Sequence, residues 1–121
     1  MAIISTLELP GSPTELSSTA PASSFYWNAS LELLSGETLS APICTVLEYD
    51  PRYPTDTKDV STTVLAVGSP SIVASGTYAG DVQVTIAAGV LIAGYEYRVM
   101  MSATGSLGTS PQRYFRIRCN F

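Results

Sequence analysis

Four carboxylates crowd one short stretch of this chain: Glu48, Asp50, Asp56 and Asp59, with Tyr49 and Tyr53 among them and Arg52 and Lys58 as the local bases. Two carboxylates at a suitable separation can act as acid and nucleophile in glycoside cleavage, and the same hard oxygens suit calcium. The tyrosine rings are of the kind that stack on sugars. Each chemistry makes a demand that the sequence does not meet. A general acid needs burial to raise its pKa, which one short polar loop rarely supplies, and the acid spacing fits no EF-hand loop. Residues 48–59 lack periodicity and read as an inserted loop that is solvated or contacts a partner. Tyr49, Arg52 and Tyr53 are its candidate contact residues.

Further classes fall away on residue types. The chain has no histidine and only 13% charged residues, so a serine triad or a cysteine–histidine dyad has no imidazole to relay its proton. Cys44 and Cys119 have no zinc-ligand spacing around them, and no phosphate-cradling glycine motif is present. No catalytic residue, cofactor or metal is therefore assigned. A formal net charge of −4 opposes nucleic-acid binding, and the cluster Arg113, Arg116 and Arg118 reads as a solvated strand face. No apolar run reaches the roughly 20 residues of a membrane span. Met1 to Leu9 lacks a basic leader region, so no secretory signal is expected and both cysteines are expected as buried free thiols in a reducing cytoplasm. The sequon Asn28-Ala29-Ser30 is set aside for the same reason.

The elements that position these residues are strands. Residues 1–23 form an extended N-terminal arm, broken by Pro10, Pro13 and Pro21. Its apolar Ile3, Ile4, Leu7 and Leu9 are candidate contact residues, suited to an extra strand on the domain's own sheet or on a neighbour's edge, with a free tail as the third reading. From Phe25 to Leu33 alternation predicts a half-buried strand with Trp27 and Leu31 facing the core. A second strand spans 38–47, with Ile43, Val46 and Leu47 inward and Pro42 at an edge or bulge. Further strands are expected over 62–67, 71–74 and 82–86. Leu91 to Met101 reads as a turn into a strand whose Tyr97 packs inward and returns its hydroxyl to nearby backbone, a tyrosine corner, with Val99 and Met101 on the same face. Phe115, Ile117 and Cys119 alternate in the final strand. About seven short strands with regular turn signals predict an all-β fold over residues 24–121, an Ig-like or fibronectin-like antiparallel β-sandwich.

Three motifs carry a resemblance. Trp27 leads to Gly36-Glu37-Thr38-Leu39, Ala93-Gly94 leads to Tyr97-Arg98-Val99, and Arg113-Tyr114-Phe115-Arg116-Ile117-Arg118 closes the chain. Over about its last four-fifths the chain resembles the small Ig-like virion proteins of tailed bacteriophages known as fibre–tail adaptors. It departs from them in Tyr26, where an acid often stands, and in the length of the 48–59 loop. The resemblance implies a non-enzymatic protein of the virion, assembled in the host cytoplasm. Its partners would be the tail tube or neck, the tail fibre and further copies of itself in a homo-oligomer. A capsid decoration protein of the same fold and a carbohydrate-binding or adhesin module are the alternatives.

Overall fold

Alternation of apolar and polar residues builds two sheets whose inward faces meet in one core. The computed structural model describes residues 8, 9 and 12–121. The strands are β1 (Thr14–Glu15), β2 (Ser23–Trp27), β3 (Leu39–Tyr49), β4 (Thr57–Asp59), β5 (Ser71–Ile72), β6 (Val82–Ile86), β7 (Glu96–Gly105) and β8 (Gln112–Arg118). A 3₁₀ turn at Ala29–Glu32 and a one-turn helix, α1 (Ser61–Val64), interrupt them. The large sheet has the order β1-β8-β7-β3-β4 and the small one β2-β6-β5. All pairings between these strands are antiparallel except β1 on β8. The expected all-β sandwich is thus the observed fold.

The core lies between the sheets. β7 and β8 supply Tyr97, Val99, Met101, Phe115 and Ile117, β3 supplies Cys44 and Val46, and the small sheet supplies Trp27, Val82, Val84 and Ile86. Phe25 of β2 meets Phe115 of β8 at a ring-centroid distance of 4.8 Å, a direct aromatic tie between the sheets. Tyr97 closes its corner as expected, because its hydroxyl oxygen accepts the Ile92 N–H at 2.8 Å while donating to Glu48 Oε2 at 2.7 Å. Both cysteines are buried free thiols, and burial pushes Cys44 up to about 12.

Part of the expected arm belongs to this framework. Leu9 N–H donates to the Tyr114 carbonyl, β1 runs parallel to β8, and Leu9 and Leu16 pack against the core. The own-sheet reading therefore holds for Leu9, whereas Ile3, Ile4 and Leu7 lie outside the described residues. Pro42 sits where the β3–β7 register shifts between Ser40 and Ile43, with Ala41 at φ 49°. A bulge absorbs a residue that cannot donate to the ladder.

Three expectations are corrected. Leu31 is 82% exposed and not a core residue, because β2 ends at Trp27 and the following 3₁₀ turn rotates Leu31 off the strand face. Ile43 is exposed and Leu47 lies outside the core cluster, because Cys44 and Val46 take the inward parity of β3 and leave both on the outward one. The expected strand over 62–67 is α1 followed by a single bridge at Leu65. There the Asp59 carboxylate accepts the Ser61 N–H and hydroxyl, and the Val60 N–H reaches the Val46 carbonyl. These local bonds overrule the β preference of Thr62, Thr63 and Val64.

Candidate functional site

The 48–59 stretch is a hairpin in which β3 runs on to Tyr49 and β4 returns from Thr57, so the irregular part is only 50–56. Ladder register then decides what faces outward. Tyr49 stands opposite Glu96, and Glu96 opposite Arg118. The Tyr49 hydroxyl donates to Glu96 Oε1 at 2.9 Å, and Arg118 Nε donates to Glu96 Oε2 at 3.3 Å. Arg98, one row along, places its guanidinium 5.3 Å from the Tyr49 ring centroid. Tyr49 is consequently 5% exposed. It is a buried link in the outer face of the sheet and not the loop contact expected from sequence. Burial first, then the Glu96 carboxylate, pushes its phenol pKa up.

Arg52 and Tyr53 do project from the loop. Arg52 is held by Asp50 at 2.7 Å with its guanidinium 5.8 Å from the Tyr53 ring centroid, and Tyr53 is 63% exposed. Two clefts flank the hairpin and share Tyr49. One, of about 460 Å³, is lined by Glu48, Asp50, Tyr53, Asp56, Lys58 and Tyr95. The other, of about 430 Å³, has Glu96, Arg98, Tyr114, Arg116 and Glu8 with two prolines as its walls.

Three of the four acids are dispersed in separate duties. Glu48 accepts the Tyr97 hydroxyl, Asp50 takes Arg52, and Asp59 binds Ser61. Hydrogen bonds from Arg52 hold Asp50 below the usual carboxylate range, and those from Ser61 do the same for Asp59. That is the wrong direction for a general acid near neutral pH. Among the described residues no group of three or more His, Cys, Asp or Glu side chains could hold a metal ion.

The C-terminal arginines are engaged as well. Arg113 pairs with Glu32 at 2.9 Å, Arg116 with Glu8 at 2.6 Å and Arg118 with Glu96 at 3.3 Å. The Arg116 bond, with help from Ser12, lowers the Glu8 pKa despite partial desolvation. What looks in sequence like a basic cluster is three separate ion pairs, one of which fastens the N-terminal segment to β8.

Sequence reasoning passed over Glu37, reading it only as part of a turn. It is a buried carboxylate that accepts the N–H groups of Leu34, Leu107 and Thr109, tying the 34–37 turn to the 105–109 hairpin. Desolvation pushes its pKa up, and the bonds from Thr109, Leu34 and Leu107 outweigh this to leave it at about 2. A Cβ on Gly105 would lie 2.6 Å from the Glu37 carboxyl carbon and 3.0 Å from the Thr109 carbonyl oxygen. The signal available in sequence was slight, a glycine at the end of the strand where the chain turns into the hairpin.

The chain matches no family model, no curated protein and no solved structure.

Proposed function

We propose that the chain is a structural virion protein of a tailed bacteriophage, an adaptor that attaches tail fibres to the tail or neck through protein–protein contacts and turns over no substrate. The observation that carries this reading is the internal use of reactive groups: the acids, tyrosines and arginines that chemistry would need are bonded to one another. The residues behind the phage resemblance, Trp27, Glu37, Tyr97 and Phe115, do fold work here. Its Ig-like character is supported by the strand order: three consecutive members β8, β7 and β3 oppose β2, β6 and β5, with β4 as an added edge.

An antibody raised against the purified chain tests the reading on density-purified particles of the phage that encodes it. Labelling at the neck or tail is expected. Labelling over the shell transfers the protein to the decoration role, and a particle free of the chain overturns a virion role altogether.

A sugar-binding reading draws on one observation, the tyrosines that line both clefts beside the 50–56 loop. Retention of a glycan that Tyr53→Ala abolishes would favour it. Tyr49→Ala is the poorer probe, because it also removes the partner of Glu96.

A further inference from the structure

The two sheets leave four edges, and three of them are blunted against pairing. β1 has two residues and carries Glu15, β4 is Thr57-Lys58-Asp59, and β5 has two residues. β2 differs on every count, having five residues, Ser-Ser-Phe-Tyr-Trp, with neither charge nor proline. Short strands, edge lysines and prolines are the devices that keep edges from pairing with other chains. β2 has none of them.

Ladder geometry shows what this edge presents. Val73 N–H donates to the Asp81 carbonyl and Ala66 N–H to the Thr85 carbonyl, so the odd-numbered residues of β6 turn their main chain away from β2. Val82, Val84 and Ile86 are left to bond Trp27, Phe25 and Ser23. The N–H and C=O groups of Ser24 and Tyr26 therefore point to the open side. Among the described residues, no main-chain bond from a turn or loop reaches them.

We infer that β2 is a self-association edge, pairing antiparallel with β2 of a second copy about a two-fold axis at Phe25. In that register Ser24 stands opposite Tyr26 of the second copy and the reverse holds, so each outward N–H meets an outward C=O. The pattern is self-complementary, as an isologous interface must be. Charge selects the same edge. A chain of net charge −4 repels its copies, and β2, β5 and β6 contain no charged residue at all. Joined copies form one continuous sheet in the order β5-β6-β2-β2-β6-β5, and the half-buried Phe25 of each is covered at the axis.

The inference deepens the assembly reading and rests on it for its setting. The two fail separately, since absence from particles removes the virion role and a monomer with β2 intact removes this interface. The test is the solution mass of the full chain across a concentration series, by light scattering and sedimentation, for the natural sequence and Ser24→Pro. Proline at 24 lacks an N–H only on the open side and leaves the main-chain β2–β6 bonds in place, while the exposed Ser24 hydroxyl bonds to Thr85 and Gln83 pass to water. The expected result is a dimer whose dissociation constant rises about 30-fold or more in Ser24→Pro, one lost bond per copy, with an unchanged thermal midpoint at low concentration. Should that variant fail to fold, Ser24→Lys gives the same loss by placing a charge on the edge. A natural chain that stays monomeric at about 100 times the concentration of a typical micromolar dimer, or a folded variant that dimerises equally well, overturns the proposal.

Discussion

The outer faces of the two sheets are built on opposite plans. On the large sheet, Tyr49, Glu96 and Arg118 form one bonded row, Arg98 lies over Tyr49, and Arg116 holds Glu8. On the small sheet the outward residues are Ser24, Tyr26, Gln83 and Thr85, joined by neutral bonds between Ser24 and Thr85 and between Gln83 and Ser24. Tyr26 there stacks on Tyr78 with centroids 3.9 Å apart. One face spends its polar groups on the fold and keeps the N-terminal segment in place. The other leaves a neutral surface beside an unprotected edge. Substitutions on the large sheet should thus appear in stability, and those on the small sheet in association.

The two plans share one core, so the largest effect is expected where the sheets meet. Phe115→Ala removes the ring that meets Phe25 and leaves a cavity between β8 and β2. A loss of about 3 kcal/mol in urea unfolding is expected; a loss under about 1 kcal/mol would mean that the sheets are not held together there.

Next comes the large outer face. Glu96→Ala strands the buried Tyr49 hydroxyl and unpairs Arg118, with an expected cost of about 2 kcal/mol, and Glu96→Gln should recover part of it by still accepting from Tyr49. If alanine and glutamine are both neutral, the row is decoration rather than structure.

The Glu37 carboxylate gives the same sheet a pH signature. Its folded pKa of about 2 lies below its ordinary value of 4.5, so its contribution is fully present above about 4.5 and is lost as pH falls toward 2. Glu37→Gln should lower the thermal midpoint at neutral pH, and the gap to the natural chain should close across that window. A gap independent of pH would assign the effect to packing and not to the charge.

Legibility followed period. Tyr97, Val99, Phe115 and Ile117 were readable because each sits in a strand long enough for alternation to declare its face. Leu31 was not, since its parity with Trp27 continues in sequence while the backbone leaves the strand at Asn28. The 62–67 segment failed because a carboxylate and a main-chain bond, neither visible in a propensity, close a helical turn there. At the candidate site, Tyr49 shares parity with Leu47, which sequence reasoning places inward, and both stand on the outer face because Cys44 and Val46 take the core side of β3. The Tyr49 partners Glu96 and Arg118 lie far away in sequence, and only the register brings them together. Glu37 was hidden for a related reason, because its partners Leu107 and Thr109 belong to a distant hairpin.

The smallest effect is expected on the small sheet, and it carries the most weight in the comparison. Gln83→Ala removes an exposed amide whose bond to Ser24 measures 3.3 Å and leaves the β6 ladder untouched. Water replaces that bond on both sides, so unfolding at low protein concentration should change by less than about 0.5 kcal/mol. If this neutral face served the fold as the charged face does, the cost would approach that of Glu96→Ala. A cost of that size would erase the division of labour between the sheets. A near-zero cost together with weakened self-association would place the outer row beside the β2 edge in the interface, since Gln83 stands directly behind Tyr26 in the joined sheet.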